Sequence, residues 1–170
     1  MKRRYFLGLL GAGGLASALP GVVSARPKPD VERASDIDVL ELSEDEWRER
    51  LDEKQYRILR ENGTEPASSS ELNKETREGE YRCAGCDLPL FTSDMKYDSG
   101  TGWPSFFDHI HGHLLTEADY KMIWPRTEYH CARCGGHQGH VFDDGPDPTG
   151  LRWCNNGLAL TFVPSDRAGG

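Results

Sequence analysis

Five cysteines hold most of the reactive chemistry in this sequence, and their spacing sorts them. Four form two C-x2-C units, "CAGC" (Cys83, Cys86) and "CARC" (Cys131, Cys134), with 44 residues between the units. A C-x2-C turn points two sulfurs at one tetrahedral metal, and two such turns close the shell around zinc. Gly85 and Gly135 suit the tight knuckles such turns need. Two disulfides are the competing reading in an exported protein, although a disulfide inside C-x2-C is strained. A four-cysteine shell has no open position, so one Zn2+ per chain would hold the fold and do no chemistry.

The fifth cysteine, Cys154 in "LRWCNNGLALTF", has no partner at short range. Residues two apart on a strand share a face, so Arg152, Cys154 and Asn156 line one surface. A permanent cation such as Arg152 favours the thiolate form of a nearby cysteine. "GGHQGHVF" supplies His137 and His140, which exchange protons near neutral pH. "SGTGWPSF" supplies Trp103 on a glycine-flanked backbone. Each also has a structural reading: a lone strand cysteine fills cores, HxxH can be a metal pair, and Trp103 can be core.

The elements that must position these residues are mostly β. The capping-box spacing Ser43-x-x-Glu46 opens a helix running to about Glu61, with Trp47, Leu51, Ile58 and Leu59 as its apolar stripe and Asn62-Gly63 as its stop. Thr64 to Gly79 is polar, aperiodic loop. From Glu80 onward, glycines and prolines punctuate short runs: "EYRC", "PLFTS", "HLLTEADY", "KMIW", "TEYHC", "HVFDDG" and "LALTFV". "HIHGH" (His109, His111, His113) reads as solvated loop or edge strand, and "DDGPDPTG" as a turn-rich loop delivering the chain to Cys154. The expectation is a mainly β, mostly antiparallel domain with a helix at its N-terminal edge, spanning 37–165, with a tail over 166–170.

Residues 1–25 have the layout of an export signal: Lys2, Arg3 and Arg4, then a Gly/Ala/Leu run, then small residues to Ala25. Arg3-Arg4 resembles a twin-arginine signal, a route that carries folded, metal-loaded proteins. A Pro-rich linker over 26–36 follows. The net charge of −8, with no basic cluster beyond the N-terminus, argues against nucleic acid as a partner.

"CAGCDLPLF", "YDSGTGWPSF", "YHCARCGGHQGHVFDDGPDPTGLRWCNN" and "LALTFVP" together resemble the peptide-methionine (R)-S-oxide reductase family, the MsrB type, over about residues 42–164. The resemblance implies two antiparallel sheets with a structural zinc away from the active site. It implies reduction of the R epimer of methionine sulfoxide, in oxidised proteins or free. With the N-terminal signal and four cysteines committed to metal, the expectation is an exported monomer recycled by an external thiol such as a thioredoxin-like protein. By similarity, Cys154 is the nucleophile and ends as a sulfenic acid. His137 and His140 hydrogen-bond the sulfoxide oxygen, Arg152 and Asn156 order the pocket, and Trp103 packs on the substrate methyl. The chain departs from the family pattern at Thr101, where a resolving cysteine often sits, at Gln138, Trp153, Asn155 and Gly157, and in the loop Thr64 to Asn73. A non-catalytic zinc-ribbon-like binding module is the rival class; it requires Cys154 to be a sealed core residue with His137 and His140 facing elsewhere.

Overall fold

The structure, a computed structural model, describes residues 32–121 and 125–165. The export signal, the first part of the linker, Met122 to Trp124 of the "KMIW" run and the tail over 166–170 lie outside the described residues.

The single helix expected from Ser43 to Glu61 is two. Ser43 opens α1 (Glu44–Arg50) with a reciprocal capping box to Glu46. Asp52 then opens α2 (Glu53–Leu59) with a second box to Gln55. The Asp52 carboxylate takes the Gln55 N–H at 2.8 Å, the donor that a continuous helix would direct at the Leu51 carbonyl. The apolar stripe is nonetheless as expected: Trp47, Leu51, Ile58 and Leu59 are all buried.

Among the described residues nine strands follow: β1 (Gly79–Cys83), β2 (Pro89–Thr92), β3 (Lys96–Tyr97), β4 (Ser105–Phe106), β5 (Leu114–Asp119), β6 (Arg126–Cys131), β7 (His137–Phe142), β8 (Arg152–Asn155) and β9 (Leu160–Pro164). They form two antiparallel sheets, one in the order β2-β1-β9 and one in the order β3-β4-β8-β7-β6-β5. The "LALTFV" run is a strand only from Leu160; Gly157–Ala159 is a 3-10 turn. Aromatic rings join the sheets. Phe91 of β2 stacks on Phe106 of β4 with centroids 4.0 Å apart, and Tyr81 meets Phe106 edge-on at 4.9 Å.

His109 departs from the solvated reading of "HIHGH". It lies in a loop, but its ring is buried against Trp153, with centroids 4.3 Å apart. Burial pushes its pKa down to about 4, so it is a neutral core residue at pH 7.

Candidate active site

Cys154 lies on β8, at the centre of the larger sheet. Its cross-strand neighbours are His140 on β7 and Ser105 on β4. A Cβ on Gly139 would run into the Cys154 carbonyl, so glycine is what lets β7 lie this close to the nucleophile's strand. Cys154 is partly exposed. It opens on a pocket of about 130 Å³ whose lining includes His140, Trp103, Asn156, Thr64, Arg126 and Phe142.

His137 and His140, three apart, should fall on opposite faces of a regular strand. A bulge corrects this. Tyr129 pairs with Gly139 and His130 with His137, leaving Gln138 as the extra residue on β7. The two imidazoles therefore converge, with ring centroids 5.5 Å apart. His140 reaches the pocket, whereas His137 sits behind it, 2% exposed.

Each histidine is held by a carboxylate that sequence reasoning missed. His140 Nε2 lies 2.9 Å from Asp119 Oδ2, and His137 Nδ1 lies 2.5 Å from Glu128 Oε1. Asp119 also accepts from Arg126 at 2.6 Å and from the Lys121 N–H at 2.9 Å. The Lys121 N–H, with His140 and Arg126, holds the Asp119 carboxyl far below its usual value despite burial. Burial pushes Glu128 up, but its hydrogen bond to His137 and the nearby cations bring it net below the usual value. Ionised carboxylates only accept, so His140 Nε2–H and His137 Nδ1–H are the donors, which fixes both tautomers. Burial, supported by the Arg126 charge, lowers the pKa of His140 against the pull of Asp119. A signal existed: Arg126 and Glu128 are two apart on one strand and so share a face.

Arg152 is adjacent to Cys154 but not free. Its guanidinium makes a two-point contact with Asp144, at 2.8 and 2.9 Å, and lies 4.3 Å from the Phe142 ring centroid. Burial pushes the Cys154 thiol above its usual value; the Arg152 charge and hydrogen bonds from Thr101 and Arg152 oppose this without reversing it. Arg152 thus pins the loop after β7 as much as it favours the thiolate. Asn156 lies just beyond β8, and both ends of its amide are engaged: Oδ1 accepts from Glu65 N–H at 3.1 Å and Nδ2 donates to the Gln138 carbonyl at 3.0 Å. The Trp103 indole N–H donates to the Glu65 carbonyl at 3.1 Å. Glu65, 3% exposed, completes this frame: its carboxylate accepts the N–H groups of Gly157 at 2.6 Å and Leu158 at 3.0 Å. The loop from Thr64 is therefore a wall of the site.

Comparison with known proteins fits this geometry. Residues 51–164 match the SelR domain family. A peptide methionine sulfoxide reductase MsrB from Agrobacterium fabrum is 51% identical over 125 residues, 72% of this chain and 91% of the relative. The chloroplastic peptide methionine sulfoxide reductase B1 of Arabidopsis thaliana is 49% identical over 142 residues, 82% of this chain and 70% of the relative. An MsrB from Azotobacter vinelandii is 50% identical over 131 residues, 76% and 98% of the two chains. The chain belongs to the MsrB family.

The MsrB-type cysteine shell is assembled apart from this pocket. The Sγ atoms of Cys83, Cys86, Cys131 and Cys134 lie within 4.8 Å of one another, all buried. The close pairs run between the two knuckles, Cys83 to Cys134 at 3.6 Å and Cys86 to Cys131 at 3.4 Å, and all five cysteines are free thiols. Zn–S bonds of about 2.3 Å in a tetrahedron place sulfurs about 3.8 Å apart, so the cluster fits a metal and the two-disulfide alternative is set aside. Arg50 donates to the Gly85 carbonyl at 2.6 Å and Arg60 to the Cys134 carbonyl at 2.9 Å, so α1 and the end of α2 lock the knuckles. Among the described residues, a second group that could hold a metal is Asp119, Glu128 and His140. Its carboxylates are already matched by Arg126 and His137.

Two departures from the family pattern meet in the core. Gln138 Nε2 donates to Cys83 Sγ at 3.4 Å, while Gln138 Oε1 accepts from Asn155 Nδ2 at 3.3 Å. Asn155 Oδ1 accepts from the Tyr129 hydroxyl at 2.7 Å. This buried chain of hydrogen bonds connects a metal-shell cysteine to the residue after Cys154. Thr101, a third departure, carries a hydroxyl beside the nucleophile.

Proposed function

We propose that this chain reduces the R epimer of methionine sulfoxide in polypeptides, with Cys154 as nucleophile. The observation that carries the reading is one small pocket, in an MsrB-family fold, lined by a thiol, an imidazole with a fixed tautomer and an indole. With Nε2–H committed to Asp119, the Nδ1 lone pair of His140 takes the Cys154 proton and returns it to the sulfoxide oxygen. Positioned acid–base groups of this kind contribute about 10²- to 10⁴-fold. The thiolate attacks the sulfoxide sulfur, forming a transient S–S bond; as the protonated oxygen passes to the Cys154 sulfur, the original S–O bond and that S–S bond both break. Methionine leaves reduced by two electrons, and Cys154, oxidised by two, keeps the oxygen as a sulfenic acid. Trp103 offers the methyl group an aromatic wall, and sulfur–aromatic contacts are worth about 0.3–1.5 kcal/mol. His137 and Glu128 support His140 from behind, and Arg152 with Asp144 fixes the strand and loop beside the thiol.

The metal in the cysteine shell is zinc, because four thiolates in a closed tetrahedron suit it; it supplies folding energy and no catalytic step. Since it occupies the other four thiols, the sulfenic acid is resolved by an external thiol. That thiol condenses with it to a mixed disulfide and water, and a second thiol releases Cys154. The chain works as a monomer outside the cytoplasm after export directed by residues 1–25. An N-terminus at Arg26 on the exported protein, and a monomer mass by size exclusion, support this; a retained leader in the cytoplasm opposes it.

The mechanism is tested with stoichiometric substrate, no reductant and dimedone, followed by peptide mass mapping. The expected result is a dimedone adduct on Cys154 with the metal retained. A disulfide from Cys154 to any shell cysteine, with metal released, would overturn it.

A further inference from the structure

The active-site pocket is smaller than the roughly 300–1,000 Å³ of sites that enclose whole ligands. At about 130 Å³, it takes the end of one side chain, so the rest of a polypeptide substrate must lie elsewhere. A second concavity, of about 580 Å³, adjoins it. Thr64 lines both, and the consecutive residues Asn156 and Gly157 line one each. The floor of this groove is the 3-10 turn Gly157–Ala159, which packs against α2 and the 3-10 turn Glu71–Lys74.

The walls differ in charge. Helix α2 supplies Ile58 at the base with Lys54 and Arg57 above it, three apart on one face, both exposed. Among the described residues, neither cation has an ion-pair partner. The opposite wall supplies Leu72 and one exposed acid, Glu71. The other lining acid, Glu65, is buried and spent on the backbone N–H groups of the floor. Two cations without an ion-pair partner thus stand over an apolar floor on a chain of net charge −8.

We propose that this groove binds the polypeptide flanking the methionine sulfoxide and selects flanks with acidic side chains. This rests on the reductase reading and extends it from the oxidised side chain to the sequence around it. Exposed ion pairs are individually weak, so two of them support about a threefold to tenfold preference in affinity. The preference should shrink as salt screens the cations.

Fluorescent peptides of equal length carry one methionine sulfoxide between Asp/Glu, Ala or Lys flanks. Their binding to the full-length, metal-loaded Cys154→Ser protein is read by polarisation. The acidic peptide is expected to bind about threefold to tenfold tighter than the lysine peptide, and Lys54→Glu with Arg57→Glu is expected to invert the order. Equal binding of all three, or a preference that survives the charge reversal, overturns the groove. Turnover by the native chain separates this from the activity itself. Turnover with no KM difference between flanks counts against the groove alone, and charge-selective binding without turnover counts against the reductase reading alone.

Discussion

The pairing of Gln138 with Asn155 can be tested by a double-mutant cycle. Both residues are essentially inaccessible, so a polar group orphaned there costs about 1–3 kcal/mol. Gln138→Leu orphans little: Asn155 Nδ2 keeps a 2.8 Å bond to the Asn156 carbonyl, and its stability cost is within about 1 kcal/mol. Asn155→Val orphans two groups, Gln138 Oε1 and the Tyr129 hydroxyl, and costs about 2–6 kcal/mol. In the Gln138→Leu background only the Tyr129 hydroxyl is orphaned, so the same change costs about 1–3 kcal/mol. The coupling is then about 1–3 kcal/mol, well above the roughly 0.5 kcal/mol scatter of independent sites. Urea unfolding of the four metal-loaded proteins measures it. If Asn155→Val costs the same in both backgrounds, the hydrogen bond between these side chains contributes nothing.

Three further outcomes follow from the same geometry. Glu65→Ala removes the acceptor for two backbone N–H groups at the edge of a groove that water can enter, so urea unfolding should show a loss of about 2–3 kcal/mol; a change under about 0.5 kcal/mol would refute its role as the frame of the site. His109 has a folded pKa lowered to about 4 from 6.5, so the unfolded chain binds the extra proton between these values and stability rises with pH across that window. Its contribution, on the order of 3 kcal/mol, is fully present above pH 6.5 and lost as pH falls towards 4; His109→Phe should flatten that slope in acid unfolding curves. Cys83→Ser or Cys131→Ser should lower folded yield before any effect on chemistry, because structural zinc supplies on the order of 10 kcal/mol in small domains; a folded, metal-free variant with an unchanged melting temperature would refute this.

Residues whose role is set by local spacing were legible in the sequence. The two C-x2-C knuckles, the capping box at Ser43 and the apolar stripe through Trp47 and Leu59 follow from short-range pattern. What was hidden depends on long-range register. Asp119 and Glu128 partner the histidines because β5, β6 and β7 are adjacent and β7 is bulged at Gln138. Nothing near Gln138 in sequence announces Cys83 as its partner, 55 positions away. The loop from Thr64 lacks periodicity because its residues serve backbone groups far along the chain, as Glu65 does for Gly157. Its altered composition also meets another departure: Ser70 packs so closely on Gly157 that a Cβ there would collide with it. The break at Asp52 was legible as a second capping box but is masked by an apolar stripe continuous across it.

The central claim is that Cys154, in this pocket, reduces one epimer of methionine sulfoxide. Its most direct test presents resolved R and S epimers of a dabsyl-type methionine sulfoxide to the metal-loaded protein with dithiothreitol, alongside folded, metal-loaded Cys154→Ser, and separates the products by chromatography. The expected result is methionine from the R epimer alone and none from the variant, since an alcohol is a far weaker nucleophile at neutral pH. Equal turnover of both epimers, turnover of neither, or near-native activity in Cys154→Ser would contradict it.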